Sequence, residues 1–222
     1  MSGGIDGLVH RVRPARGEPA GALVLLHGRG TSELDLLPLL DELDPDRRLV
    51  GVTPRAPMEL SPGGFHWYRV PRVGFPDPRT FFASAALLGE FLDALPDALG
   101  VPLRQTVLGG FSMGAVMSYA LGLGEGRPAP AAVVALSGFI PTVEGFDLEL
   151  GGREGFPVAI GHGSQDPVIS VEFARRARGR LEDAGLAVLY RESPMLHSID
   201  PRFVAVLQNW LLEAVAAGTR TT

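Results

Sequence analysis

Gly109-Gly110-Phe111-Ser112-Met113-Gly114-Ala115 is the stretch on which the fold turns. Before it, Gln105-Thr106-Val107-Leu108 reads as a short buried strand, and after it Val116-Met117-Ser118-Tyr119-Ala120-Leu121 reads as a helix of small and apolar residues. A strand, a glycine-flanked serine and a helix form the setting that a Gly-x-Ser-x-Gly nucleophile turn requires. The turn is so sharp that the serine takes a strained backbone, and side chains at Gly110 or Gly114 would collide with the neighbouring strand and helix. The Ser112 hydroxyl then stands clear of the sheet at a helix N-terminus, whose partial positive charge favours a developing anion. The pattern alone is weak, because chance gives about 0.2 such matches in a chain this rich in glycine. Partners elsewhere must decide.

Outward from this turn, short apolar strands alternate with amphipathic helices. Ala22-Leu23-Val24-Leu25-Leu26, Leu49-Val50-Gly51-Val52-Thr53, Ala132-Val133-Val134-Ala135-Leu136 and Pro157-Val158-Ala159-Ile160 are continuous apolar runs, as strands buried on both faces of a parallel sheet are. Ala187-Val188-Leu189-Tyr190 is the last strand, and residues 8–13 alternate as an edge strand does. Thr31 or Ser32 caps a first helix lined by Leu36, Leu37, Leu40 and Leu43. Asp77-Pro78 opens a second, Ser170 a fourth and Asp200-Pro201 the last. The expected fold is therefore α/β: one domain over 1–222, a mostly parallel central sheet with helices on both faces. Ligands in such sheets bind at the C-terminal strand ends, where His27, Ser112, Asp166 and His197 all fall.

Composition narrows the chemistry. All 20 basic residues are Arg, which excludes a Schiff-base lysine and a Walker-type phosphate loop. Cysteine is absent, so disulfides, thiol nucleophiles and Cys-bound metals are out. A net charge of −5 without a basic block offers nothing for nucleic acid to grip. The N-terminus lacks the pattern of a secretory leader, and no apolar run is long enough for a membrane span, so the expected compartment is the cytoplasm.

A serine needs a base, and the base needs a group that fixes its tautomer. The order Ser112, Asp166, His197 matches the nucleophile–acid–base order of α/β hydrolases. His197 is read as the general base and then acid, Asp166 as its orienting partner, and Asp200 as a helix cap. The oxyanion hole is expected from the backbone N–H groups of Met113 and Arg29, with Gly28 and Gly30 letting that loop approach the substrate. Phe65, Trp67, Tyr68, Phe139 and Ile140 lie on loops at the same edge and are expected to form an apolar substrate site.

Rival readings fare worse. Gly28-Arg29-Gly30 follows a strand, but Glu33 takes the place of the third glycine of a dinucleotide fingerprint, and no acid ends the next strand. The histidines are scattered, without the helical pair of a zinc hydrolase. A non-catalytic binding protein on the same fold would lack a triad member, and none is missing.

Leu26-His27-Gly28-Arg29-Gly30, Gly110-Phe111-Ser112-Met113-Gly114-Ala115, His162-Gly163-Ser164-Gln165-Asp166-Pro167-Val168-Ile169 and His197-Ser198-Ile199 together resemble the phospholipase/carboxylesterase family. The resemblance spans nearly the whole chain. It implies a Ser–Asp–His hydrolase with little or no cap domain, no cofactor or metal, and a small-molecule ester as substrate, working as monomer or homodimer. Carboxylesterase, lysophospholipase and acyl-protein thioesterase are the activities it brings into view. Met113 stands where many thioesterase members have Gln, and Arg29 where they often have Leu.

Overall fold

A computed structural model describes residues 7–220. The reading of the N-terminus as leaderless was made on residues 1–7, of which 1–6 lie outside them. In chain order the elements are β1 (His10–Arg13), β2 (Gly21–Leu26), α1 (Leu37–Leu43), β3 (Leu49–Pro54), the short strands β4 (Met58–Glu59) and β5 (Phe65–His66), and α2 (Pro78–Leu99). There follow β6 (Thr106–Phe111), α3 (Met113–Leu123), β7 (Ala132–Leu136), β8 (Pro157–Gly163), α4 (Glu172–Asp183), β9 (Ala187–Ser193) and α5 (Pro201–Arg220).

Seven strands form one sheet in the order β1-β3-β2-β6-β7-β8-β9. Only β1 runs antiparallel, against β3; the other pairs are parallel. Alternation along β2 shows how the layers are made. Ala22, Val24 and Leu26 pack against Phe81, Leu88 and Leu92 of α2 and Val116 and Met117 of α3. Leu23 and Leu25 face the other way, onto Leu40 and Leu43 of α1 and Leu207 and Leu211 of α5. Each Leu or Val fully buried in this way contributes about 2 kcal/mol. Ala174, Ala177 and Leu181 of α4 close the β7–β8 end beside α3. The mostly parallel sheet with helices on both faces is thus as expected.

Helix starts follow the sequence at α2 and α5, but α4 has Val171 and not Ser170 at its N-cap, with no side-chain cap, and Ser170 Oγ only accepts the Glu172 N–H at 3.3 Å. Asp77 Oδ1 accepts the Thr80 N–H at 3.0 Å and Pro78 occupies the first turn of α2. Asp200 Oδ1 accepts the Arg202 N–H at 2.9 Å before α5. The first helix, by contrast, begins at Leu37 and not after Thr31 or Ser32. Thr31 is held away from a cap position, its carbonyl accepting the Phe65 N–H at 2.7 Å in a bridge to the β4–β5 hairpin and its hydroxyl donating to Gly28 O at 3.2 Å, and 33–36 form turns before the helix begins.

Arg13 was not legible as a core residue. It is 6% exposed, and its guanidinium donates to Asp44 Oδ2 at 2.6 Å and to the carbonyls of Leu40 and Leu49. This clamp ties β1 to the end of α1. Among the described residues no helix is long and apolar enough to cross a membrane.

The chain leaves β2 for β3 on one side and later returns as β6 on the other. That reversal opens a crevice at the C-terminal ends of β2 and β6, where His27 to Arg29 and Ser112 emerge.

Candidate active site

Ser112 joins β6 to α3 with φ 55° and ψ −116°, a left-handed conformation that a non-glycine residue adopts only under constraint. Its N–H donates to Leu136 O at 2.8 Å, which holds the turn to the neighbouring strand. The two glycines are required by close approach. A Cβ at Gly114 would lie 1.9 Å from Leu26 O, and one at Gly110 would lie 2.5 Å from the Gly114 carbonyl carbon.

Asp166 follows β8 and His197 follows β9. Their loops are laced together: Ser164 N–H donates to Ser193 O at 2.7 Å and Gln165 N–H to Met195 O at 3.1 Å. A Cβ at Gly163 would stand 2.1 Å from Leu196 O, so only glycine lets the loops touch. The structure brings the three predicted side chains into line. Ser112 Oγ is 2.9 Å from His197 Nε2, and His197 Nδ1 is 2.6 Å from Asp166 Oδ2. The Phe111 ring lies 4.8 Å from the imidazole, centroid to centroid, and limits its rotation.

Asp166 is buried, and its other oxygen, Oδ1, accepts the N–H groups of Val168 and Ile169 at 2.8 and 2.9 Å. Burial alone would raise its pKa. The bond to His197 and the two backbone donors outweigh burial and hold the carboxyl below its ordinary value. A carboxylate in this state keeps the Nδ1–H tautomer of His197 and leaves Nε2 free to accept the serine proton. Asp200, the rival acid, instead takes Ser193 Oγ, Arg191 Nε and the Arg202 N–H.

His162 is a residue that sequence reading left without a role. Its Nε2 donates to Ile169 O at 2.8 Å and lies 3.3 Å from Asp166 Oδ2, and its Nδ1 has no partner among the described residues. Burial lowers its pKa, so it stays neutral and braces the loop that carries Asp166. Its position directly after a strand, four residues before the acid, was the available signal.

Around Ser112 lies a cavity of about 280 Å³. Tyr68, Met113, Phe139, Val168 and Ile169 give it an apolar wall, and Arg29 and Arg72 stand in its lining. Of the residues expected at a substrate site, Tyr68 and Phe139 lie in this lining, and Phe65, Trp67 and Ile140 lie outside it. Phe65 lies under the Arg55 guanidinium at 4.5 Å, and Ile140 lines a separate groove with Phe75 and Phe173. Trp67 is fully buried, with its Nε1–H donating to His27 O at 2.9 Å and its backbone N–H directed at Met113 Sδ at 3.2 Å. Aromatic loop residues fill the core beneath the site because burial of a large ring outweighs exposure at a rim. Met113 and Arg29 both line this cavity, and among the described residues no hydrogen bond from the backbone N–H of either is found. That of Met113 is one of the open donors that begin any helix.

Comparison with known proteins agrees with this architecture. The model of the Phospholipase/Carboxylesterase family matches residues 9–214. Acyl-protein thioesterase 1 of Candida albicans is 31% identical over 73% of this chain and 78% of its own length. The crystal structure of the Bacillus cereus carboxylesterase superposes with a TM-score of 0.82 at 25% identity, over 94% of this chain and 95% of that one. A carboxylesterase structure from Mesorhizobium loti has a TM-score of 0.80 at 23% identity, covering 92% and 94%, and speaks for the fold alone. The chain belongs to the phospholipase/carboxylesterase family of α/β hydrolases.

Proposed function

We propose that this protein hydrolyses carboxylic esters through an acyl-enzyme formed on Ser112. The observation that carries the reading is the unbroken hydrogen-bonded line from Ser112 Oγ through His197 to Asp166, at 2.9 and 2.6 Å, beside a cavity. In the first half-reaction Ser112 Oγ attacks the ester carbonyl carbon while His197 Nε2 takes its proton. The oxyanion that forms is received by the N–H groups of Met113 and Arg29, each worth about 3 kcal/mol of transition-state stabilisation. Collapse breaks the C–O bond to the alcohol, which leaves with the proton from His197. Water then attacks the acyl group with His197 as base, and the carboxylic acid departs as Ser112 regains its hydrogen. Asp166 keeps its charge throughout and stabilises the imidazolium.

The cavity of about 280 Å³ favours a short acyl or alcohol group, since it sits at the small end of the ~300–1,000 Å³ that ligand pockets span. A thioester reading has separate support in the likeness to a fungal acyl-protein thioesterase. The same nucleophile would serve, and a thiolate leaves with less help from His197. Turnover of matched short esters and thioesters by wild type, Ser112→Ala and Asp166→Asn tests the reading. Both variants should lose at least about 10⁴-fold in kcat. Activity in Ser112→Ala near that of wild type would refute it.

A further inference from the structure

Two arginines stand in the lining of the Ser112 cavity, and no Asp or Glu does. Some arginines elsewhere are tied to carboxylates, such as Arg13 to Asp44 and Arg55 to Glu33. Among the described residues Arg29 and Arg72 have no carboxylate partner. The nearest acid along the loop, Asp77, accepts from Thr80 in capping α2.

Both arginines are carried on fixed backbone. Arg29 precedes Gly30, whose N–H donates to Phe65 O at 2.8 Å. Arg72 begins a turn closed by the Phe75 N–H on Arg72 O at 3.0 Å, and the turn is pinned where the Thr142 hydroxyl donates to Gly74 O. The Arg72 guanidinium lies over the Phe75 ring, 3.7 Å from its centroid. A second sign of positive field is His66 behind the Arg29 loop: burial is the main cause of its lowered pKa, and Arg29 and Arg69 add to it. The chain as a whole carries −5, so this cationic mouth runs against the bulk charge.

We propose that the ester taken by this site bears an anionic group, a carboxylate or a phosphate, which Arg29 and Arg72 hold at the cavity mouth while the apolar wall receives the carbon chain. This rests on the ester-hydrolase reading above and adds to it a substrate class. Guanidinium groups suit such anions because their planar N–H forks match two oxygens at once. Pre-set positions reduce the ordering that binding requires.

The test compares matched pairs by proton release at constant pH. Ethyl hexanoate against monoethyl adipate puts the charge on the acyl side; butyl acetate against 4-acetoxybutanoate puts it on the alcohol side. O-phosphorylated hydroxybutyl acetate distinguishes phosphate from carboxylate. In at least one pair the anionic ester should show about tenfold higher kcat/KM, as two solvent-facing ion pairs allow. That ratio should shrink towards one in about 0.5 M salt, where charges at the mouth are screened. Arg72→Gln and Arg29→Gln should each lower the ratio, and Arg72→Glu should reverse it. The ratio is the readout because general damage to the site lowers both rates together. Turnover of neutral esters with no anionic preference in any pair would overturn the inference and leave the hydrolase reading standing. Variants that slow both members equally would also overturn it. Turnover of no ester would overturn both.

Discussion

The indole Nε1–H of Trp67 donates to the carbonyl of His27 at 2.9 Å, from a side chain with no exposure to solvent. His27 is the first residue beyond β2, so this bond fixes the loop whose Arg29 N–H is proposed to meet the oxyanion. The His27 ring is anchored too, with Nε2 accepting the Ala56 N–H at 3.0 Å and Nδ1 bonded to Gly28 O at 2.7 Å. Trp67→Phe keeps a ring in the core but leaves the His27 carbonyl without its donor. It should cost about 2 kcal/mol in stability and about tenfold in kcat, measured by urea unfolding and ester turnover. Wild-type kcat in this variant would mean that the loop is held by other contacts.

The nucleophile turn makes a sharper steric prediction. Gly114→Ala puts a Cβ 1.9 Å from Leu26 O and 2.8 Å from His27 O, both backbone atoms of a central strand end that have nowhere to move. A loss of about 3 kcal/mol is expected. Gly151→Ala, at a turn with no atom within 4 Å, is the control and should stay within about 0.5 kcal/mol. Equal effects from the two would contradict the packing described for the turn.

Ion pairs should differ by burial. Asp44→Ala takes from the Arg13 guanidinium, 6% exposed, its buried carboxylate and leaves it only the half-exposed Asp41 at 3.2 Å, and should cost about 3 kcal/mol. Glu172→Ala removes an exposed partner of Arg175 and should cost less than about 1 kcal/mol. Chemical denaturation of the two variants separates these cases.

Acid should weaken the fold well above the carboxylate range. His27, His66 and His162 all have pKa values lowered chiefly by burial. In the unfolded chain each binds a proton near pH 6.5, while the folded protein resists binding it. Protons are thus taken up on unfolding, so stability falls as pH drops below about 6.5, by up to about 1.4 kcal/mol per pH unit for each group. Asp166 acts lower down. Its depressed pKa gives stability that is present above the unfolded value and lost as pH falls through the folded one. Urea midpoints should decline between pH 7 and pH 5, and His162→Gln should flatten the decline. A midpoint constant over that range would contradict the buried neutral state of these rings.

What the sequence disclosed, and what it withheld, follows from the range of the forces involved. The strands were legible because residues such as Ala22 to Leu26 are buried on both faces, which leaves an unbroken apolar run. Ser112, Asp166 and His197 were legible because each follows a strand and their order is diagnostic; their approach to 2.9 and 2.6 Å was not, since it depends on loop contacts such as Gly163 against Leu196. Arg13 looked like an exposed edge residue because its partner, Asp44, is distant in sequence. Trp67 and Ile140 looked like a pocket rim because loop aromatic and aliphatic residues give no sign of which way they point. Thr31 had the chemistry of a cap, but a hydrogen bond from Phe65 claimed its carbonyl.

Intact mass after brief exposure to a small fluorophosphonate tests the central claim most directly, because the reagent adds only to a serine activated by a neighbouring base. A single adduct that maps to Ser112, and that disappears in Ser112→Ala and forms far more slowly in His197→Gln, is the expected result. No adduct on folded wild-type protein, or one on another residue, would contradict the assignment of Ser112 as the nucleophile.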